Sequence, residues 1–196
     1  MAELMLNPEE MKRAQRELET VVGPNRLVQE SDIPNLPYLQ AIVKEAYRMH
    51  PAAPLALPRL STQASTIGGY NLPPNTYLTL NIFAIHRDPS VYEDPETFNP
   101  QRFVERPDLN PTSGYNSYQL IPFSAGRRMC PAPALGDLMT SLLLAHLLHT
   151  FDWSLPQDLV RTAGGRLDMA ESFGLVMYKK IPLSLVAHPK SPAFLL

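Results

Sequence analysis

Pro122-Phe123-Ser124-Ala125-Gly126-Arg127-Arg128-Met129-Cys130 decides how the rest of this 196-residue chain is read, because it carries the sole cysteine from a turn-rich loop to the foot of an apolar run, Ala134 to Thr150. That run is apolar almost all round, which predicts a buried helix. A helix N-terminus carries partial positive charge and free N–H groups, and Arg127 and Arg128 stand just upstream, so a thiolate is favoured over a thiol at Cys130. Gly126 allows a tight backbone turn, Phe123 can cover a flat ligand, and an arginine can pair with a carboxylate through a bidentate fork. Together these residues suit an anionic sulfur beside a planar macrocycle that carries carboxylates.

Two other readings of Cys130, one bland and one sharp, stand beside that one. Most lone cysteines are buried structural residues. A thiol nucleophile with His146 or His149 as base is the other, although both histidines lie in the apolar run and no separate orienting acid is evident. With one cysteine, an internal disulfide framework, a four-cysteine iron–sulfur site and a cysteine-rich zinc site are excluded. A net charge of -2 and a pI near 6.2 offer no general attraction for nucleic acid or anionic lipid, so neither partner is indicated.

At 44% hydrophobic and 18% charged residues, the chain suits one ordinary domain or a large piece of one. Its N-terminus has neither a basic stretch nor a cleavage site of the signal-peptide kind. The most apolar stretch, Leu142 to Leu148, is interrupted by His146 and is far short of the roughly 20 residues that cross a bilayer. The 21 prolines are spread from end to end, and no internal boundary stands out.

Working outward, Asn7 with Pro8 and Glu10 predicts a capping box opening a helix over Glu9 to Val22, whose Met11, Ala14, Leu18, Val21 and Val22 share one face that needs a partner surface. Gly23-Pro24 stops it. Tyr38 to Met49 reads as a second helix, closed by Pro51. From Pro51 to Ile82, short extended segments broken by Gly68-Gly69 and Pro73-Pro74-Asn75 predict small hairpins, with Tyr77 to Ile82 as the best strand. Ile82 to Arg87 turns helical again, Asp88 to Gly114 is proline-rich coil, and Leu175 to Lys179 and Ile181 to Ala187 read as strands. The class is mixed, with helices dominant and minor antiparallel sheet.

Glu45 and Arg48 are neighbours on one helical face, which taken alone describes an ordinary surface pair. They gain meaning from a resemblance. Phe123, Gly126, Arg128 and Cys130 match the haem-binding loop of the cytochrome P450 family in identity and spacing, Glu45-Ala46-Tyr47-Arg48 resembles its Glu-x-x-Arg motif, and Phe98-Asn99-Pro100-Gln101-Arg102-Phe103 resembles the segment that supplies a second arginine. The resemblance runs from about Ala2 to Lys190 and looks most like plant microsomal members, including flavonoid hydroxylases, through Asp32 to Ala41 and Phe151-Asp152-Trp153. Ala132 stands where the family usually has glycine, and Gln101 where it commonly has glutamate.

The resemblance implies the C-terminal part of the cytochrome P450 fold over residues 1–190, with a tail at 191–196. It implies haem b with Cys130 as the iron ligand and Arg128, Phe123, Gly126 and Arg59 around the cofactor. A structural cluster of Glu45, Arg48 and Arg102 would hold the cysteine loop, and Ala52, Pro54, Leu55, Ala56, Phe173 and Gly174 would contact a small lipophilic or aromatic substrate. Electrons would come from an NADPH-dependent reductase at the endoplasmic reticulum membrane, reached through an N-terminal anchor that this chain does not contain. The family's distal helix, with its acid–threonine pair for oxygen activation, is likewise not found in this sequence. Three readings therefore remain: part of a haem-thiolate monooxygenase, a haem-binding fragment without turnover, or a structural or thiol protein unrelated to haem. On the first two, the helix Glu9 to Val22 and the segments Ala52 to Leu57 and Phe173 to Val176 should expose apolar faces.

Overall fold

The computed structural model describes residues 1–114, 118–159, 167–174 and 176–190. It is mainly helical with small antiparallel sheets, as expected. Two helices open the chain, α1 (Ala2–Leu6) and α2 (Pro8–Val21), followed by a 3-10 turn at Glu30–Asn35 and α3 (Pro37–Met49). Proline sits in the first turn of both α2 and α3, where its missing N–H costs nothing. The Asn7 side chain does not form the expected cap. Its Nδ2 donates to the Glu3 carbonyl at 2.9 Å, because α1 precedes it and leaves carbonyls to be satisfied.

Four short strands follow: β1 (Arg59–Leu60), β2 (Ser65–Ile67), β3 (Tyr70–Leu72) and β4 (Tyr77–Leu78). They form two antiparallel pairs, β1 with β4 and β2 with β3. The expected strand Tyr77 to Ile82 shrinks to its first two residues, since Asn81 caps α4 (Ile82–Ile85) by accepting the Ala84 N–H. The proline-rich coil holds one further turn, α5 (Gln101–Val104). Beyond the cysteine loop, α6 (Pro133–Thr150) runs into β5 (Phe151–Ser154), β6 (Glu171–Ser172), β7 (Tyr178–Lys179) and β8 (Val186–Pro189). β5 pairs with β8 and β6 with β7, both antiparallel. Leu175, where a strand was expected to begin, and the 191–196 tail lie outside the described residues.

The core corrects one expectation about exposure. Met11, Ala14 and Leu18 of α2 are buried against this chain's own Leu39, Ile42, Ala145 and Leu148, so that face has its partner within the chain. Each such leucine contributes about 1.5–3 kcal/mol of burial. The expectation that α6 is buried throughout is also corrected. Ser141, Ala145, Leu148, His149 and Thr150 are buried, but Leu135, Met139 and Leu143, spaced i, i+4 and i+8, form an exposed apolar stripe. An all-round apolar helix cannot show from sequence which side its own domain covers.

Candidate functional site

The best-defined group is the trio Glu45, Arg48 and Arg102. Glu45 and Arg48, one turn apart on α3, are fully buried, and their side chains pair through Nε to Oε2 at 2.7 Å and Nη2 to Oε1 at 2.9 Å. Arg102 of α5 reaches Glu45 Oε1 from Nε at 3.2 Å, and the Asn99 amide donates to the same oxygen at 2.8 Å. One carboxylate facing two guanidinium groups leaves a net positive charge, which is expensive when buried. Backbone carbonyls take it up. Arg48 Nη1 donates to the oxygens of His86 and Pro95 at 2.9 and 2.7 Å, and Arg102 Nη1 donates to Glu93 O at 3.0 Å. The Arg48 guanidinium also lies 5.1 Å from the Tyr92 ring centroid. Arg48 and Arg102 thereby fix the coil 93–99 onto α3.

The cysteine loop lies on the other side of His86. The Ile121 amide donates to His86 Nε2 at 2.9 Å, Ser124 N donates to Ile121 O at 2.9 Å, and Cys130 N donates to Phe123 O at 2.9 Å. These bonds fold 121–130 into a closed turn with Cys130 three residues ahead of α6, half-buried. Gly126 has φ of 76°, and so supplies the left-handed turn expected of it. Ser124 also has positive φ, at 65°, a strained conformation for a residue with a Cβ. Arg59 of β1 holds it there, since Nη2 donates to Ser124 Oγ at 2.8 Å and to Ala125 O at 3.2 Å. Arg59 thus stands at the cysteine loop, while Arg127 and Arg128 are exposed on a 3-10 turn, Gly126–Arg128.

Phe123 is packed from two sides. The Tyr47 ring meets it edge-on at 5.5 Å between centroids, and Gly136 in the first turns of α6 lies so near that a Cβ there would come within 3.0 Å of its Cε1. Neither Tyr47 nor Gly136 was singled out from the sequence. A glycine within an otherwise strongly helical apolar run was the available signal for Gly136. Ser124 gave none, because its conformation is set by Arg59, 65 residues away.

Of the two apolar segments expected to meet a substrate, the first is bonded just beyond the end of the second, as Met177 N donates to Ala52 O at 2.8 Å. Pro54 O accepts from Phe83 N at 3.0 Å, and Ala56 has φ of 51°. Leu55, Leu57 and Phe173 are exposed and Gly174 lies against the Tyr178 ring. A cavity of about 280 Å³ lies elsewhere, between α1, α3, α6 and β6–β7, lined by Glu3, Val43, His50, Leu144 and Met177 and by no residue of the cysteine loop. There His50 bridges Glu3 through Nε2 at 2.8 Å and Glu171 through Nδ1.

The overall fold recurs in solved structures. A zebrafish cytochrome P450 solved with abiraterone superposes with a TM-score of 0.83 at 31% identity over 96% of this chain and 41% of that one. The sequence matches the cytochrome P450 family over residues 1–170, and the chain belongs to that family. Similar plant proteins are a flavonoid 3',5'-hydroxylase of Solanum melongena, 47% identical over 97% of this chain and 36% of its own length, and one of Eustoma exaltatum subsp. russellianum, 46% identical over 98% and 37%. A flavonoid 3'-monooxygenase of Crocosmia x crocosmiiflora is 41% identical over 97% of this chain. The chain spans a little over a third of the length of these relatives.

The family implies a haem iron cofactor. The residues present suit it. Among the described residues no group of three or more His, Cys, Asp or Glu side chains is placed to hold a bare metal ion. A single sulfur on a braced turn would suit an iron whose remaining equatorial donors a macrocycle would supply. Arg59 at the loop and the exposed Arg128 are cations of the kind that carboxylates on such a group would pair with. No helix among the described residues is long and apolar enough to cross a membrane.

Proposed function

We propose that this chain supplies the haem-thiolate portion of a cytochrome P450 monooxygenase. Cys130 is the iron ligand, Phe123 covers the flat cofactor, Gly126 shapes the turn, and Arg59 and Arg128 pair with the haem carboxylates. A bound haem would supply the oxygen-activating chemistry, and a Cys130 thiolate on its iron would add electron density that favours it. Ala52, Pro54, Leu55, Ala56, Phe173 and Gly174 form the apolar wall met by a small lipophilic or aromatic molecule; the names of the similar plant proteins point to a flavonoid ring. Electrons come from an NADPH-dependent reductase, on the cytosolic face of the endoplasmic reticulum. Glu45, Arg48 and Arg102 carry no chemistry and keep the turn in place.

The observation that carries this reading is the Cys130 turn itself, closed by Cys130 N to Phe123 O and clamped by Arg59 through Ser124. A chimera tests the activity: residues 1–190 joined behind the remaining length of the Solanum melongena flavonoid 3',5'-hydroxylase, supplied with haem, reductase, NADPH and labelled O2. It should place one labelled oxygen on a flavonoid ring, and Cys130→Ala should not. A haem-loaded chimera yielding no labelled product would overturn the monooxygenase reading.

A further inference from the structure

We propose that His86 is a positioning residue for the Cys130 turn, coupling it to the Glu45–Arg48–Arg102 cluster through one imidazole acceptor and one carbonyl. This rests on Cys130 being the iron ligand. The coupling is a continuous set of bonds. Arg48 Nη1 donates to His86 O at 2.9 Å, the Ile121 amide donates to His86 Nε2 at 2.9 Å, Ser124 N donates to Ile121 O at 2.9 Å, and two residues beyond Ile121 the Phe123 carbonyl accepts Cys130 N at 2.9 Å. Within this set, His86 touches both the cluster and the loop.

His86 is fully buried, so nothing else can replace the acceptor that its ring offers. Nε2 must be free of a proton to accept an amide, which leaves the proton on Nδ1. Burial, with Arg48 and Arg87 as the charged neighbours, pushes the ring down to about 4, so it is neutral and able to accept across the physiological range. An unpaired Ile121 amide would be left in the core if the ring were lost, and the turn that places Cys130 would lose its first anchor. The cluster orients His86 by its carbonyl, and His86 orients the loop by its ring. Arg59 holds the same loop from β1 at Ser124, so the turn is pinned from two elements.

Glutamine can carry a carbonyl oxygen to the position of Nε2, whereas asparagine is too short and leucine has no acceptor. Hydrogen exchange of residues 118–131 in the haem-free chain reads the effect without any cofactor. His86→Leu and His86→Asn should speed exchange at Ile121, Ser124 and Cys130 by about tenfold, the worth of one hydrogen bond, and His86→Gln should restore protection. Exchange in α2 and across β5–β8 should not change. In the haem-loaded chain, the share of thiolate-type carbon monoxide complex should fall in His86→Leu and recover in His86→Gln. Unchanged exchange in all three variants would overturn the proposal, and so would loss of protection throughout the chain that glutamine does not repair, which would mark His86 as ordinary core. Failure of the haem reading shows separately, as a Cys130→Ala chain that keeps the wild-type spectrum.

Discussion

The Glu45–Arg48–Arg102 cluster and the Cys130 turn leading into α6 both bond to His86, yet they are finished to different degrees. Every charge in the cluster has partners within the chain, and Glu45 and Arg48 are fully buried. The turn is hydrogen-bonded internally, but Arg127 and Arg128 are exposed and the α6 stripe Leu135, Met139 and Leu143 faces outward. The framework is self-sufficient, whereas the surfaces that would meet ligand and neighbouring structure are left open. Stability should therefore reside in the first region and binding in the second.

The largest effect should come from Glu45→Ala, which strands two arginines near a carboxylate that no longer exists. Breaking one partner of a buried pair costs about 3–5 kcal/mol, against less than about 1 kcal/mol for Cys130→Ala in the haem-free chain. Urea denaturation of the two variants measures both, and equal losses would erase the contrast.

Next comes pH. The His86 ring is lowered from 6.5 to about 4 mainly by burial, so the native state resists a proton that the unfolded chain accepts. Stability should fall as pH drops from 6.5 towards 4, by roughly 3 kcal/mol in all, and His86→Gln should flatten that limb. His50 has the opposite sign. Its hydrogen bond to Glu3 raises it, opposed by burial and aided by Glu171, so its contribution is present below 6.5 and is lost as pH rises through the folded value. His50→Gln should flatten the higher limb only.

A smaller effect separates packing from stability. In Gly136→Ala, the new Cβ lies 3.0 Å from Phe123 Cε1, but alanine favours the helix by about 1 kcal/mol. Unfolding free energy should hardly move, while the near-ultraviolet signal of Phe123 and Tyr47 and the haem affinity change. The smallest effect on stability belongs to Leu143→Gln on the exposed stripe, within about 0.5 kcal/mol, with self-association reduced as seen by sedimentation.

Much of this was legible in the sequence. The helix α2 followed from apolar spacing and its Gly-Pro stop, α3 from its closing proline and α6 from a run apolar almost all round, and the resemblance named Glu45, Arg48 and Arg102, which the structure brings together. What escaped depended on distant partners. Asn7 is a good cap in isolation, but the carbonyls of α1 compete for its side chain. Which side of α6 is covered depends on the chain packed against it, and the strained Ser124 depends on Arg59. His86 lies in a stretch read only as a helical turn, and its role appears once Arg48 and Ile121 are seen to converge on it.

The identity of the iron ligand is tested most directly by the haem-loaded chain, reduced and exposed to carbon monoxide. A thiolate opposite carbon monoxide shifts the Soret band far to the red of a histidine-ligated haem. The band should be of the thiolate type, should vanish in Cys130→Ala and should survive His146→Ala. A well-folded, haem-saturated chain showing only the histidine-type band, or a Cys130→Ala variant with an unchanged spectrum, would contradict Cys130 as the ligand.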